Sequence, residues 1–205
     1  VSGPVSAGTG EKPYQSDIGV KNGKIEAIGK INEPSRKIID AKDRIVTPGF
    51  VDIHTHYDGQ VTWDPYLRPS TYHGVTTVIM GNCGVGFSPC RPEDRDWLIS
   101  LMEGVEDIPG TALHEGINWQ WESFPEYLDA LEKKPLAIDV GTQVPHGAVR
   151  AYVMGQRGIN HEKATSNEIR QMSKIVKEGI EAGAFGFSTS RTEKHRDSGG
   201  SLTPS

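Results

Sequence analysis

The sequence predicts an α/β fold, with a small β unit followed by strands and helices in alternation and the main strands forming a parallel sheet covered by helices. Three observations carry this. Apolar, β-prone runs stand near residues 50, 77, 138 and 186, and they are too continuously apolar to leave one face in water. The segments between them carry helical periodicity. The clearest begins at Thr165-Ser-Asn-Glu168 and carries Ile169, Met172, Ile175, Val176, Gly179 and Ile180 at helical spacing. Upstream, Asn22-Gly23 separates two short β-prone runs, the composition of a tight hairpin.

In chain order, residues 1–16 hold Gly, Ser, Pro and Thr without periodicity and read as a loop or frayed edge. Their opening resembles the tail of a strand and no Met begins it, so a truncated chain is expected. Residues 18–20 and 24–28 form the hairpin, and the runs at 37–40 and 44–46 are expected to complete a small antiparallel unit. Residues 1–46 are therefore assigned to one small β domain and 47–205 to the α/β domain. The stretch Val46-Thr-Pro-Gly-Phe-Val-Asp-Ile-His-Thr-His56 reads as a buried strand arriving with two histidines. A short helix is expected over 66–73, closed by Gly74, and Val75–Met80 forms the next strand. Pro92 opens a helix over 92–102, with Glu93 and Asp94 at the positive end of its dipole. Residues 104–121, rich in Trp and acidic groups, read as an irregular loop or lid. Ser123-Phe-Pro-Glu126 starts a helix whose apolar face is Phe124, Tyr127, Leu128 and Leu131. A third strand covers 136–140, a loop 141–147, and a short apolar helix ends at Val153. The long helix from Thr165 stops at Gly183, before a fourth strand over 184–188 and a final loop. If the sheet closes into a barrel, these are half of its eight units.

The net charge of −5, without basic clusters, argues against nucleic acid and gives no attraction to a membrane surface. No apolar run is long enough to span a bilayer, and the N-terminus lacks a signal-peptide layout, so the cytoplasm is the expected compartment. Cys83 and Cys90 are too few for a disulfide framework, and their spacing does not match a structural zinc module. In a strand, the two-residue spacing of His54 and His56 puts both imidazoles on one face, with Asp58 and Asp64 close behind. Cys83 ends the following strand in a glycine-flanked turn, where a thiolate can serve as a zinc ligand. Both open sheets and barrels place chemistry at C-terminal strand ends, where His54, His56 and Cys83 fall. His146 follows the third strand, and Arg191 and His195 follow the fourth; these three are the expected substrate contacts. Arg150 is assigned to a salt bridge, Trp119 and Trp121 to lid packing, and Cys90, His73, His114 and His161 to structural or solvated positions.

These residues carry a resemblance. The stretch ending in His54-Thr-His56 is similar to the first barrel strand of the amidohydrolase superfamily. His54-Thr-His-Tyr-Asp-Gly-Gln60, Trp63-Asp-Pro65, His73-Gly-Val-Thr-Thr-Val78 and above all Gly81-Asn-Cys-Gly84 resemble the D-aminoacylase or N-acyl-D-amino-acid deacylase family. The resemblance implies a metal-dependent (β/α)8 barrel with a small β-sandwich. Residues 1–46 would belong to the sandwich and 47–205 to the first half of the barrel. It further implies one or two zinc ions, with His54 and His56 as ligands and Cys83 in the place a carboxylated lysine fills in many relatives. The general-base Asp and two more histidines would come from strands beyond Ser205. The implied reaction is hydrolysis of a non-peptide amide C–N bond in a small N-acylated amino acid, and this segment alone is expected to be inactive. Two other readings are a cyclic-amide hydrolase of the dihydroorotase or hydantoinase kind and a non-catalytic binding or assembly protein. Gly-Asn-Cys-Gly and the lack of a strand-end lysine weigh against the first, and joint retention of His54, His56 and Cys83 against the second.

Overall fold

A computed structural model describes residues 1–204 and divides the chain into two compact units, Val1–Gly49 and Phe50–Ser205. In the first unit, β1 (Ser2–Val5), β2 (Tyr14–Lys21) and β3 (Lys24–Gly29) form an antiparallel sheet in that order. The hairpin joining β2 to β3 is as expected. Asn22 and Gly23 have φ of 53° and 74°, the positive values a primed turn needs at both central positions. The rest of the unit differs from expectation. The N-terminal residues form a strand, whereas the runs at 37–40 and 44–46 do not form an antiparallel pair. Each makes one parallel bridge along the free edge of β1, Ser2 with Asp40 and Val5 with Val46. Between these bridges Asp43 turns with φ of 59°, and the Arg44 amide donates to the Ala41 carbonyl at 3.0 Å. The intervening backbone is thus used in a turn and cannot continue the ladder.

In the second unit, β4 (Phe50–Asp52), β5 (Val75–Met80) and β6 (Asp139–Thr142) form a parallel sheet in the order β4-β5-β6. The third strand lies about three residues later than its apolar run, and it bends at Gln143. Before the bend it pairs with β5; after it, β7 (Val144–Pro145) pairs in parallel with β8 (Phe187–Ser188). Thr142 accepts from the Phe185 amide and the Val144 amide donates to Gly186, both at 2.9 Å, so the fourth strand joins on the far side of the third. The β4 strand is short and its apolar side chains are exposed, with Phe50, Val51 and Ile53 at 59%, 58% and 73%. Among the described residues its pairing within the sheet is to β5 alone.

Two helices start as their capping boxes require, α3 (Phe124–Glu132) at Ser123 and α6 (Ser166–Glu181) at Thr165. The helix from Pro92 begins as a 3₁₀ turn and continues as α1 (Arg95–Glu106). The stretch expected to be irregular contains α2 (Gly110–Gly116), fixed by full burial of Leu113 and by a hydrogen bond from the Gly110 amide to Glu103 Oε1 at 2.9 Å. The helix expected over 66–73 shrinks to a 3₁₀ turn, Ser70–His73, closed by Gly74 at φ of 85°. Leu67, left-handed at φ of 48°, and Pro69, which has no amide hydrogen, break the run, while the Asp64 carboxylate holds the resulting turn by accepting the Tyr66 and Arg68 amides at 3.0 and 3.1 Å. After β7 come α4 (His146–Met154) and α5 (Gln156–Ile159). The core gathers Tyr127 and Phe124 of α3, Leu98, Leu101 and Met102 of α1, and Val78 and Met80 of β5 around Phe87. No helix among the described residues is long and apolar enough to cross a membrane.

The α6 box makes a stability prediction. Thr165→Ala should cost about 1 kcal/mol in chemical denaturation. The Glu168 carboxylate lies below its usual range because it accepts the Thr165 amide and hydroxyl, with Arg157 beside it. Its contribution is complete above the unfolded-state value of 4.5 and is lost as pH falls through the lower folded value. Glu168→Gln should therefore flatten the acid limb of the stability curve; an unchanged limb would show that the box does not set it.

Candidate metal centre

The β4 strand ends at Asp52, whose Oδ1 accepts the His54 amide at 3.2 Å and turns the chain. The two histidines therefore sit on the loop beyond the strand, not within it as the two-residue spacing implies. They still converge, because buried Thr55 between them is pinned to the end of β5. Its amide and hydroxyl both donate to the Ile79 carbonyl, at 3.0 and 2.8 Å. The two imidazole centroids are 5.5 Å apart, tilted by 57°.

Cys83 occupies a tight turn after β5 in which Gly81, Cys83 and Gly84 have φ of 70°, 57° and 75°. The left-handed conformation, easy for the glycines and adopted by Cys83 itself, lifts the thiol toward the histidine loop. One hydroxyl holds both ends of this turn. Ser188 Oγ on β8 accepts the Gly84 amide at 2.9 Å and donates to the Gly81 carbonyl. Cys83 Sγ lies 3.2 Å from His54 Nε2, and one ligand atom each from His54, His56 and Cys83 fall within 4.8 Å of one another.

This set passes a simple test of fit for zinc. Bonds of about 2.3 Å to sulfur and 2.0 Å to nitrogen around a tetrahedral ion put such ligands roughly 3.5 Å apart, close to the observed sulfur–nitrogen contact. Burial, with the charges of His54 and His195, pushes the His56 imidazole down to about 4, so the ring is neutral at physiological pH, as a ligand must be. Its contact with Glu106, 3.2 Å from His56 Nε2 to Oε1, is consequently a hydrogen bond and not an ion pair. His56 Nδ1 is buried without a hydrogen-bond partner among the described residues. Burial and the nearby Glu106 raise the Cys83 thiol above its ordinary value.

The other expected site residues distribute around this cluster. His195 is close enough for its charge to depress His56, and its buried Nδ1 lacks a partner among the described residues. His146 opens α4 and is half-buried, with Nδ1 2.9 Å from Thr189 Oγ1 and its ring 5.4 Å from Phe187. Burial first, then the charges of Arg150 and Arg191, lower its imidazole. Arg150 makes no salt bridge among the described residues. It is buried and bonds the Gly158 and Glu162 carbonyls at the end of α5. Trp119 and Trp121 meet with ring centroids 5.4 Å apart, tilted by 43°; Trp121 is buried in the core, its indole donating to the Phe87 carbonyl at 2.8 Å, and half-buried Trp119 packs against that core instead of forming a lid. Asp64 is committed to its own turn. Cys90 is buried, its thiol pushed up to about 12 chiefly by desolvation.

Sequence reasoning missed Glu106, and it placed Asp58 close behind the two histidines without its burial. Glu106, at the end of α1, faces His56 from a segment expected to be past the helix. Asp58 follows His56 by two residues and is buried beneath the Cys83 turn, its carboxyl raised to about 7 mainly by burial. Tyr127 donates to the Asp58 carbonyl at 2.8 Å, anchoring the histidine loop to α3.

A model described as "Amidohydrolase family" matches residues 37–200. An uncharacterised protein of Mycobacterium tuberculosis is 36% identical over 188 residues, 88% of this chain and 30% of that protein. D-aminoacylase of Alcaligenes xylosoxydans xylosoxydans is 32% identical over 188 residues, 91% of this chain and 36% of the enzyme. Among solved structures, N-acyl-D-glutamate deacylase from Bordetella bronchiseptica, complexed with zinc and a phosphonate mimic of the tetrahedral intermediate, superimposes with a TM-score of 0.76. That match has 34% identity and covers 91% of this chain and 36% of the deacylase. The chain thus spans about a third of the length of the relatives it matches. Agreement of sequence and fold over most of its residues establishes that the chain belongs to the amidohydrolase family.

Proposed function

We propose that this chain forms part of the active site of a zinc-dependent hydrolase that cleaves the amide C–N bond of N-acyl-D-amino acids. The observation that carries this reading is the convergence of His54, His56 and Cys83, with ligand atoms all within 4.8 Å. The named deacylases at 31–33% identity support the choice of substrate class. In this reading His54 and His56 supply neutral imidazole nitrogens and Cys83 a thiolate to one or two zinc ions. A bound zinc ion supplies polarisation of the amide carbonyl and a lowered pKa for water. His146, Arg191 and His195 contact the substrate, an N-acylated amino acid that carries a carboxylate suited to Arg191. Residues 1–46 contribute to a small β-sandwich and 47–205 to the first half of a (β/α)8 barrel. The general-base carboxylate and two further histidines come from later strands. The greater length of the relatives supports that division.

Zinc content and hydrolysis of N-acetyl-D-amino acids by the full-length protein test this. Zinc should co-purify, the D substrates should be turned over in preference to L, and Cys83→Ala should weaken zinc binding by about 100-fold or more, beyond what residues outside the ligand set contribute. Turnover of hydantoins or dihydroorotate without D-deacylation would replace this reading with the cyclic-amide one, and a metal-free, inert protein would favour a binding role. The isolated 205-residue segment should bind zinc weakly and turn over no substrate.

A further inference from the structure

One side chain joins the two halves of the candidate centre. Asn82, 5% exposed, immediately precedes Cys83 in the turn. Its Nδ2 donates twice, to the Thr55 carbonyl at 3.1 Å and to the Ile79 carbonyl at 2.9 Å. Its Oδ1 accepts from Gln143 Nε2 at 2.8 Å. The two carbonyls demand donors, so the orientation of the amide is decided by the network. Thr55 is the residue between His54 and His56, and Ile79 carries the carbonyl that also holds the Thr55 amide and hydroxyl. Gln143 stands at the bend between β6 and β7, and its own amide donates to the Met80 carbonyl at 3.0 Å. The amide of Asn82 therefore spans the histidine loop, the end of β5 and the bend of the third strand, one residue from the sulfur.

We propose that Asn82 is a positioning residue for the metal centre, setting the separation between the His54–His56 pair and Cys83, with Gln143 holding its orientation. This rests on the metal-centre reading above. A shift of the Thr55 carbonyl moves both flanking histidines together, and rotation of the Asn82 backbone moves Cys83 directly. An aspartate of the same shape would face two carbonyl oxygens with acceptors only, losing both links. Alanine would remove the Asn82 partner of the Thr55 carbonyl and of the Gln143 side-chain amide, while the Ile79 carbonyl would keep the Thr55 amide and hydroxyl. A network serving stability alone would lower the melting temperature without changing metal geometry, which gives the two roles different signatures.

The test compares wild type, Asn82→Asp, Gln143→Ala and Cys83→Ala in the full-length protein. Trp121→Phe serves as a control that removes a buried hydrogen bond from the core. Zinc affinity, the near-ultraviolet thiolate-to-metal charge-transfer band of the cobalt(II) form, and melting temperature without metal are read for each. Asn82→Asp should lower zinc affinity about 10–100-fold and weaken or shift the cobalt band. Gln143→Ala should act in the same direction by less, and Trp121→Phe should lower the melting temperature alone. Should Asn82→Asp fail to fold, Gln143→Ala decides, because it removes only the outer bond. The proposal falls if the affinity and band of the folded Asn82 and Gln143 variants match those of wild type or change no more than in the control. Absence of the band in wild type, or its survival in Cys83→Ala, overturns the metal-centre reading and this proposal with it.

Discussion

Gly81→Ala is expected to destabilise the protein by roughly 2–5 kcal/mol and to disrupt the proposed zinc site. Gly81 has φ of 70°, and a Cβ there would lie 2.2 Å from the Gln143 carbonyl oxygen and 3.0 Å from the carbonyl carbon and amide nitrogen of the same residue. The left-handed conformation alone costs an L-residue about 1–2 kcal/mol. The overlap is with backbone at the bend between β6 and β7, which has no rotamer by which to yield, and overpacking of that kind adds about 1–3 kcal/mol. Relief of the overlap must separate the Cys83 turn from the third strand, so the geometry of the thiol is lost together with stability. Gly84→Ala is a calibrating comparison: its φ is similar at 75°, but the nearest atom, Thr189 Cα, is 3.2 Å away. Denaturation curves should show the Gly81 variant clearly less stable than the Gly84 variant. Equal losses would mean that the approach of Gln143 is not what demands glycine.

Ser188→Ala should cost about 2–6 kcal/mol, a large effect for a single hydroxyl. The Ser188 Oγ is the partner of both the Gly84 amide and the Gly81 carbonyl, and all three residues are buried. Its removal leaves a buried donor and a buried acceptor unpaired, at about 1–3 kcal/mol each. Native-state hydrogen exchange gives a local readout: the Gly84 amide should exchange faster in Ser188→Ala by more than the global loss of stability accounts for. Unchanged relative protection at Gly84 would show that the turn is held by other contacts. Both substitutions act on the same four residues from opposite sides, the third strand and β8, so their combined effect should be less than additive.

Local chemistry made much of this legible in the chain. Asn22-Gly23, Gly74, and the capping boxes at Ser123 and Thr165 act through neighbouring backbone, and each appears where its composition predicts. The cluster of His54, His56 and Cys83 was legible too, because parallel strands with apolar runs bring successive strand ends to one edge of the sheet. Illegible were features that depend on a distant partner. The bridges of residues 40 and 46 depend on the free edge of β1, and the division of the third strand into β6 and β7 depends on which neighbour pairs with each half. Asp64 looked like a ligand by proximity, yet its carboxylate was drawn into a turn by two amides of its own loop.

What the sequence by itself determined was the identity of the three converging candidate donors, His54, His56 and Cys83, and the alternation of elements that delivers them, since both are encoded by residues close together in the chain. The tertiary structure alone decided how those donors are held. Ser188 reaches the Cys83 turn across 104 residues to Gly84, Gln143 reaches Asn82 across 61, and Asn82 reaches the histidine loop across 27. Hydrogen bonds over such separations leave no periodicity or spacing to read, because they exist only once the sheet has brought its strand ends together.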